Sequence, residues 1–158
     1  MCWIEMKSKK RRLWLFSLAV SFLVMAVIVC FSAQPGAASN GFSKGIADRL
    51  LWMVRKAFPD VTLGELNFFL RKLAHFTLYF ILGCGLTGAF SRQRRVWAVV
   101  PAIFVGACFA ASDELHQMFS DGRSASMKDV LLDSCGVMAG SLLSWGVLKI
   151  CRRKNRTH

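Results

Sequence analysis

Hydrophobic and polar residues alternate along the chain in long blocks, and four of the blocks are strongly apolar. The apolar blocks are 13–31, 73–90, 96–112 and 130–150. Each approaches the roughly 20 apolar residues that an α-helix needs to cross the hydrocarbon core of a bilayer. The pattern therefore predicts an all-α chain, folded as a polytopic membrane bundle of four transmembrane helices.

The first apolar block has two interpretations. A basic stretch precedes it and small residues follow it at 36–39, which is also the order of features in a secretory signal peptide. Its 19 residues exceed the roughly 7–15 residues of a typical signal-peptide core. We therefore expect an uncleaved membrane anchor and keep the signal peptide as the alternative.

The long segment 32–70 between the first two blocks begins as a turn and then changes to a helical pattern. Gln34, Pro35 and Gly36 are turn formers, and small polar residues continue to position 43. Apolar residues then recur at helical spacing from Ile46 until the helix breaker Pro59. This predicts an extracytoplasmic amphipathic helix, either packed over the bundle or lying in the head-group layer.

A second short helix is predicted just before the second apolar block. Thr62 can cap it, with Glu65 three residues further on to complete a capping box. Arg71 and Lys72 then mark the outer entrance of the second span.

Composition limits the chain to one membrane domain. Its 158 residues are 54% hydrophobic, with a mean hydropathy of +0.42, which leaves no room for a separate soluble domain. We assign 13–150 to this domain and 1–12 and 151–158 to basic tails. The net charge of +12 would also suit nucleic acid, but the basic residues flank the apolar blocks, so nucleic acid is not an expected partner.

The distribution of the basic residues predicts an orientation. With both termini in the cytoplasm, 13 of the 21 lysines and arginines lie in short inner segments, and the other 8 lie in the much longer outer segments. This asymmetry is what the positive-inside rule describes. We expect a multi-pass protein of the cell membrane with both termini cytoplasmic.

Polar residues follow helical stripes toward the outer ends of the spans. In the third and fourth spans one face carries small residues and polar groups at steps of four, three and four: Gly106, Ala110, Asp113 and Gln117, then Asp129, Asp133, Gly136 and Gly140. The second span adds Arg71, His75 and Tyr79 at steps of four. Small residues permit close helix contacts, so three helices are predicted to direct polar groups into one outward-opening cavity.

Each of these residues also has a structural interpretation. Asp113 and Glu114 are placed where a span would end, and Arg71 and Lys72 where interfacial anchors occur. His75 and Asp133 lie about one turn inside their spans, where an unpaired polar group is costly. For these two the structural alternative is a hydrogen-bond network between helices.

Several short motifs carry a family resemblance when they are taken together. They are Phe31-Ser32-Ala33-Gln34-Pro35-Gly36, Arg71-Lys72-Leu73-Ala74-His75-Phe76 with Tyr79, Asp113-Glu114-Leu115-His116-Gln117, and Gly122-Arg123-Ser124 leading to Asp129 through Gly136. Their combination and order resemble the VanZ-like family, membrane proteins named for an association with low-level teicoplanin resistance. The resemblance implies a protein of the cell envelope, in a family suspected of acting on lipid head groups. Many relatives carry Asn at the position of Asp133, which argues against a mechanism that needs a permanent negative charge there.

We therefore expect a membrane-embedded enzyme that acts on a lipid-linked phosphate or glycan head group, such as a cell-wall precursor, from the outer leaflet. Proton transfer is assigned to His75 or Glu114, phosphate binding to Arg123 with Arg71 or Lys72, and orientation to Gln117 and Asp129. The predicted site residues are His75, Glu114, Asp113 and Asp129 as catalytic; Arg123, Gln117, Arg71 and Lys72 as substrate-binding; and Ser32, Gln34, Tyr79 and Asp133 as supporting.

Two other functions and one cofactor remain as alternatives. A non-catalytic accessory protein would bind a glycopeptide, a surface lipid or a partner protein through the same cavity. Transport ranks third, because four spans without an internal repeat are few for a transporter acting alone. No cofactor is predicted. A divalent metal held by the carboxylates and His75 is the alternative, although no short metal-ligand motif supports it. The sequence carries no signal for an oligomeric state.

Overall fold

Five α-helices form the protein in a computed structural model that describes residues 2–91, 97–119 and 125–154. The helices are α1 (Cys2–Ser32), α2 (Gly36–Val54), α3 (Leu63–Phe90), α4 (Val99–Gln117) and α5 (Met127–Lys154). Within these ranges the chain contains no β-strand. The all-α prediction is confirmed.

Four of the helices are long and apolar enough to cross a membrane. The qualifying stretches are Arg11–Ser32, Leu63–Phe90, Val99–Gln117 and Met127–Cys151. They belong to α1, α3, α4 and α5 and correspond to the four apolar blocks of the sequence. The protein is therefore a multi-pass membrane bundle, in which α2 is an additional helix between the first two spans.

One end of the bundle contains the end of α1, the start of α3, the end of α4 and the start of α5. Ser32, the last residue of α1, is hydrogen-bonded to Asp113 near the end of α4. Lys72 of α3 forms an ion pair with Asp129 in the first turn of α5. Further along both helices Gly140 lies against Phe80, so α3 and α5 run parallel. We call this the Ser32 end of the bundle.

The opposite end holds the start of α1 and the end of α3. The indole Nε1 of Trp14 donates a hydrogen bond to the carbonyl oxygen of Ala89 at 3.1 Å. Further along α1, Val24 and Ile28 are buried in the core with Leu82 and other apolar residues of the bundle. The first span is thus a packed member of the bundle, and both described chain ends lie away from the Ser32 end.

The helix backbones approach most closely between α3 and α5. A Cβ atom added to Gly136 would lie 2.7 Å from the carbonyl oxygen of Phe76, and one added to Gly140 would also collide with α3 backbone. In α4, a Cβ on Gly106 would lie 2.5 Å from Cγ1 of Val137. The prediction that Gly106 and Gly136 occupy close contacts between helices is confirmed.

The helix boundaries between the first two spans differ from the prediction. α2 begins at Gly36, directly after the turn, so positions 39–43 are helical. Thr62 and Glu65 do form the predicted capping box: Thr62 Oγ1 accepts from the Glu65 backbone N–H at 3.2 Å, and Glu65 Oε2 accepts from the Thr62 N–H at 3.0 Å. The helix they cap is α3 itself. Arg71 and Lys72 interrupt the apolar pattern without ending the helix, because both are good helix formers.

α3 projects beyond α5 at the Ser32 end. Lys72 is the tenth residue of α3, whereas its partner Asp129 is the third residue of α5. The difference of seven residues corresponds to about 10 Å of helix.

α2 packs chiefly against α3, where Asn67 Nδ2 donates to Asn40 Oδ1 at 2.6 Å. The amphipathic character of α2 stays a prediction.

Candidate functional site in a polar layer

A buried hydrogen-bond network joins α1 to α4 at the Ser32 end. Ser32 Oγ donates to Asp113 Oδ2 at 2.9 Å, and Gln117 Nε2 lies 3.1 Å from the same carboxylate oxygen and 3.2 Å from Ser32 Oγ. All three side chains are buried. Asp113 lies four residues before the end of α4, about 6 Å along the helix axis. A polar layer therefore lies just inside this end of the bundle.

Glu114 connects α4 to the start of α5. Its Oε1 accepts a hydrogen bond of 2.6 Å from the backbone N–H of Ser126, the residue immediately before α5. A carboxylate at this position compensates the partial positive charge of the helix N-terminus. Glu114 is buried, and this contact gives it a structural role in addition to the predicted proton transfer.

Two pairs of charged or polar side chains join α3 to α5. Lys72 and Asp129 form an ion pair in which each side chain is 30% exposed. One turn further in, Nδ1 of His75 lies 3.7 Å from Oδ2 of Asp133. That distance is longer than a hydrogen bond but allows direct electrostatic interaction. The His75 side chain is 32% exposed and that of Asp133 is 3% exposed, so the pair leads from the surface into the layer.

Tyr79 lies at the inner side of the layer and interacts electrostatically with Asp113, Glu114 and Asp133. The tyrosine is fully buried. Its hydroxyl, Oδ1 of Asp113 and Oδ1 of Asp133 have no hydrogen-bond partner among the described residues. An unsatisfied buried polar group costs about 1–3 kcal/mol. The Tyr79 hydroxyl lies close enough to the Asp113 carboxylate to interact with it, so Oδ1 of Asp133 is the oxygen that the described residues leave available to another donor.

A groove between α2 and α3 lies beside this layer and has a volume of about 540 Å³. Most of its lining is apolar. The lining residues are Phe31 of α1; Ser39, Phe42, Ser43 and Ile46 of α2; and Leu70, Arg71, Leu73, Ala74, His75, Thr77 and Leu78 of α3. His75 contributes to the groove and also faces Asp133, so it links the groove to the buried carboxylates.

Most of the predicted site residues lie together in this layer. The members are Ser32, Lys72, His75, Tyr79, Asp113, Glu114, Gln117, Asp129 and Asp133. Gln34 is half-buried in the turn between α1 and α2, and no hydrogen bond among the described residues joins its side chain to the layer. Arg123, the predicted phosphate ligand, lies outside the described residues.

The stripe predicted on α3 differs in its first member. Arg71 lines the groove, whereas Lys72 faces α5 and pairs with Asp129. The face of α3 turned toward α5 therefore carries Lys72, His75 and Tyr79 at steps of three and four. These steps follow the helical period of 3.6 residues, whereas repeated steps of four drift around the helix. Lys72 is already paired within the fold, so Arg71 is the better placed cation for a ligand in the groove.

The α2 wall of the groove is the part of the site that the sequence prediction missed. Ser39, Phe42, Ser43 and Ile46 are spaced so that they share one helix face. The spacing carries this signal, but Ser, Asn and Gly at positions 39–43 also favour a turn, which is the structure predicted there.

The structure also bears on the alternative of a divalent metal. Within 2–91, 97–119 and 125–154, no three His, Cys, Asp or Glu side chains are grouped to hold a metal ion.

The fold and the layer define a polytopic membrane protein with polar residues buried near one end of its spans. A sequence model of the VanZ/LLP1 family matches residues 16–150, and the chain belongs to this family. The match includes α2, α3 and α4 entirely, most of α5, the second half of α1, and every residue assigned to the polar layer. It confirms the family predicted from the motifs. No curated protein and no solved structure matches the chain.

Proposed function

We propose that the protein is a membrane-embedded hydrolase or transferase that acts on a lipid-linked phosphate or glycan head group. The observation that supports it most directly is the position of His75. Its Nδ1 lies 3.7 Å from the buried carboxylate of Asp133, and the residue also lines the α2–α3 groove. A histidine oriented by a carboxylate and accessible to a ligand is an arrangement used for general acid–base catalysis.

In this mechanism His75 moves one proton during the transfer reaction. Neutral His75 accepts the proton of a water molecule or an acceptor hydroxyl through Nε2, while the oxygen forms a bond to the head-group phosphorus or sugar carbon. The bond to the leaving oxygen breaks, and the imidazolium returns the proton to that oxygen. Asp133 faces Nδ1 and orients the imidazole ring, a role that the side-chain oxygen of an asparagine can also fill. Proton transfer of this kind contributes about 10²- to 10⁴-fold to a rate.

Arg71 supplies the charge that would hold a phosphate. It lines the same groove one helical turn from His75. A guanidinium can bind two phosphate oxygens through parallel N–H donors, which fixes orientation as well as position. The Lys72–Asp129 ion pair and the Glu114–Ser126 hydrogen bond keep α3, α4 and α5 in place around this pair of residues. Arg123 remains a second proposed phosphate ligand.

We place the Ser32 end at the outer face of the cell membrane, with both termini cytoplasmic. The 13-to-8 partition of basic residues supports this orientation. The groove would then take its ligand from the outer leaflet. The substrates proposed are membrane lipids or a lipid-linked cell-wall precursor.

A non-catalytic accessory protein is the second candidate. The pairing of charged groups within the layer supports it: Lys72 is held by Asp129, and Glu114 by the Ser126 backbone. A layer whose charges already have partners can recognise a glycopeptide, a surface lipid or a partner protein without proton transfer.

Turnover of defined envelope lipids by the purified protein in reconstituted vesicles distinguishes the two functions. We expect His75→Gln to lower the rate by about 10²-fold or more, because the amide cannot accept a proton in this way. His116→Gln is the matched control, since His116 is exposed at the end of α4, and it should keep the wild-type rate. Wild-type turnover by His75→Gln, or tight lipid binding without any turnover by the wild type, would favour the accessory protein.

A further inference from the structure

We infer that the α2–α3 groove binds one acyl chain of an anionic glycerophospholipid, with the lipid phosphate beside Arg71. This inference rests on the proposed function, because it names the substrate class of the same site. The occupant follows from four properties of the groove: its lining, its polar side chains, its size and its charge.

The walls of the groove are apolar over a length that suits a lipid chain. Phe31, Phe42, Ile46, Leu73 and Leu78 are among the lining residues. From Arg71 to Leu78 the α3 wall extends over seven residues, which is about 10 Å along the helix. One leaflet of a bilayer contributes about 15 Å of hydrocarbon, half of the roughly 30 Å core. A chain lying in the groove would therefore be covered for most of the depth of one leaflet.

Two of the three hydroxyl groups in the lining, those of Ser43 and Thr77, do not require a polar ligand. Ser43 Oγ donates to the carbonyl oxygen of Ser39 at 3.1 Å, and Thr77 Oγ1 donates to that of Leu73 at 2.7 Å. Both hydroxyls are thus satisfied within their own helices. A hydrocarbon chain can contact them without leaving a donor unpaired.

The size of the groove favours a single acyl chain. Its volume of about 540 Å³ lies within the roughly 300–1,000 Å³ typical of small-molecule sites. A long polyprenyl carrier would leave most of its length outside such a groove. The walls would then provide little of its binding energy. We therefore assign the groove to a glycerophospholipid rather than to a polyprenyl-linked precursor.

The charge of the groove selects an anionic head group. Arg71 and His75 are its ionisable lining residues, and no acidic side chain is among those that line it in the described part of the chain. Arg71 precedes Lys72, which contacts Asp129 in the first turn of α5. Arg71 therefore lies near the Ser32 end of the bundle. A phosphate there would lie at the end of the hydrocarbon groove and within reach of His75.

Photocrosslinking with a phosphatidylglycerol that carries a diazirine on its acyl chain tests the inference. In vesicles containing the full-length wild type, we expect crosslinks to concentrate on the peptides of α2 and α3 that line the groove. Ala74→Trp fills the groove and should reduce these crosslinks several-fold. Ala38→Trp is the matched control, because Ala38 is exposed on α2 and does not line the groove, and it should leave them unchanged.

Three competitors and one variant test which head group and which type of lipid chain the groove binds. Unlabelled phosphatidylglycerol should displace the probe, whereas phosphatidylcholine and a polyprenyl phosphate should displace it several-fold less well. Arg71→Gln should reduce the difference between the anionic and zwitterionic lipids. Crosslinks spread evenly over all lipid-facing helices, insensitivity to Ala74→Trp, or stronger displacement by the polyprenyl phosphate would overturn the inference.

The same measurements distinguish failure of the inference from failure of the proposed enzyme. Asp133→Leu removes the carboxylate beside His75 but does not alter the groove lining, so it should abolish turnover while groove crosslinking persists. Groove-specific crosslinking without turnover in the wild type would refute the enzyme and retain the lipid site. Turnover accompanied by uniform crosslinking would refute the lipid site and retain the enzyme.

Discussion

Gly136 of α5 lies so close to Phe76 of α3 that a Cβ atom on the glycine would be 2.7 Å from the Phe76 carbonyl oxygen. The neighbouring atom belongs to the backbone, which cannot rotate away as a side chain can. Phe76 adjoins His75 in sequence, and Gly136 is three residues beyond Asp133. The close contact between the helices therefore fixes the separation of His75 and Asp133.

Gly136→Leu should destabilise the protein strongly. The leucine side chain must push α3 and α5 apart, and overpacking of this kind costs about 1–3 kcal/mol or more. We expect a lower yield of folded protein and a lower midpoint of thermal unfolding in detergent.

Gly146→Leu provides the control on the same helix. A Cβ atom at Gly146 would meet no other heavy atom within 4 Å, so this substitution should leave stability close to that of the wild type. Equal stability of the two variants would contradict the close contact between α3 and α5.

The Lys72–Asp129 ion pair should couple α3 to α5 measurably. Both side chains are partly exposed, so we expect a coupling free energy of at most about 1 kcal/mol. A double-mutant cycle with Lys72→Met and Asp129→Asn, followed by thermal unfolding, measures it. Exactly additive single effects are not expected for residues in contact. Additivity within error would show that the ion pair does not couple α3 to α5.

Cysteine labelling tests the proposed orientation of the bundle. Asp60 lies in the turn between α2 and α3, and Trp97 lies in a turn just before α4, at the opposite end. In a variant without native cysteines, Asp60→Cys should react with a membrane-impermeant maleimide in intact cells. Trp97→Cys should react only after permeabilisation. The reverse pattern would place both termini outside.

Helical periodicity was sufficient to predict much of the architecture. The stripe from Asp129 to Gly140 was predicted from its spacing alone, and its glycines do contact α3. The reason is that the period of a helix and the need for small residues at close contacts are both local properties of a sequence. The Thr62–Glu65 capping box is local as well, and it was predicted correctly.

Pairings between helices could not be predicted in the same way. The partner of Lys72 depends on the rotation and axial offset of α3 against α5, which the packing of Gly136 and Gly140 determines. The contact of Glu114 with the Ser126 backbone depends on where the start of α5 lies relative to the end of α4. Such contacts arise from tertiary packing, so composition and spacing indicate which residues are candidates without indicating which ones meet.

α2 differs from the other helices in how little of it is covered. Ala47 is its only buried residue, and its packing is chiefly against α3. A helix with so few buried contacts opens at a lower free energy than the core around it. Amide hydrogen exchange should therefore be faster across Gly36–Val54 than in the parts of α3 and α5 that pack against each other. Local opening of α2 alone would therefore admit a ligand to the groove while the four spans and the polar layer remain folded.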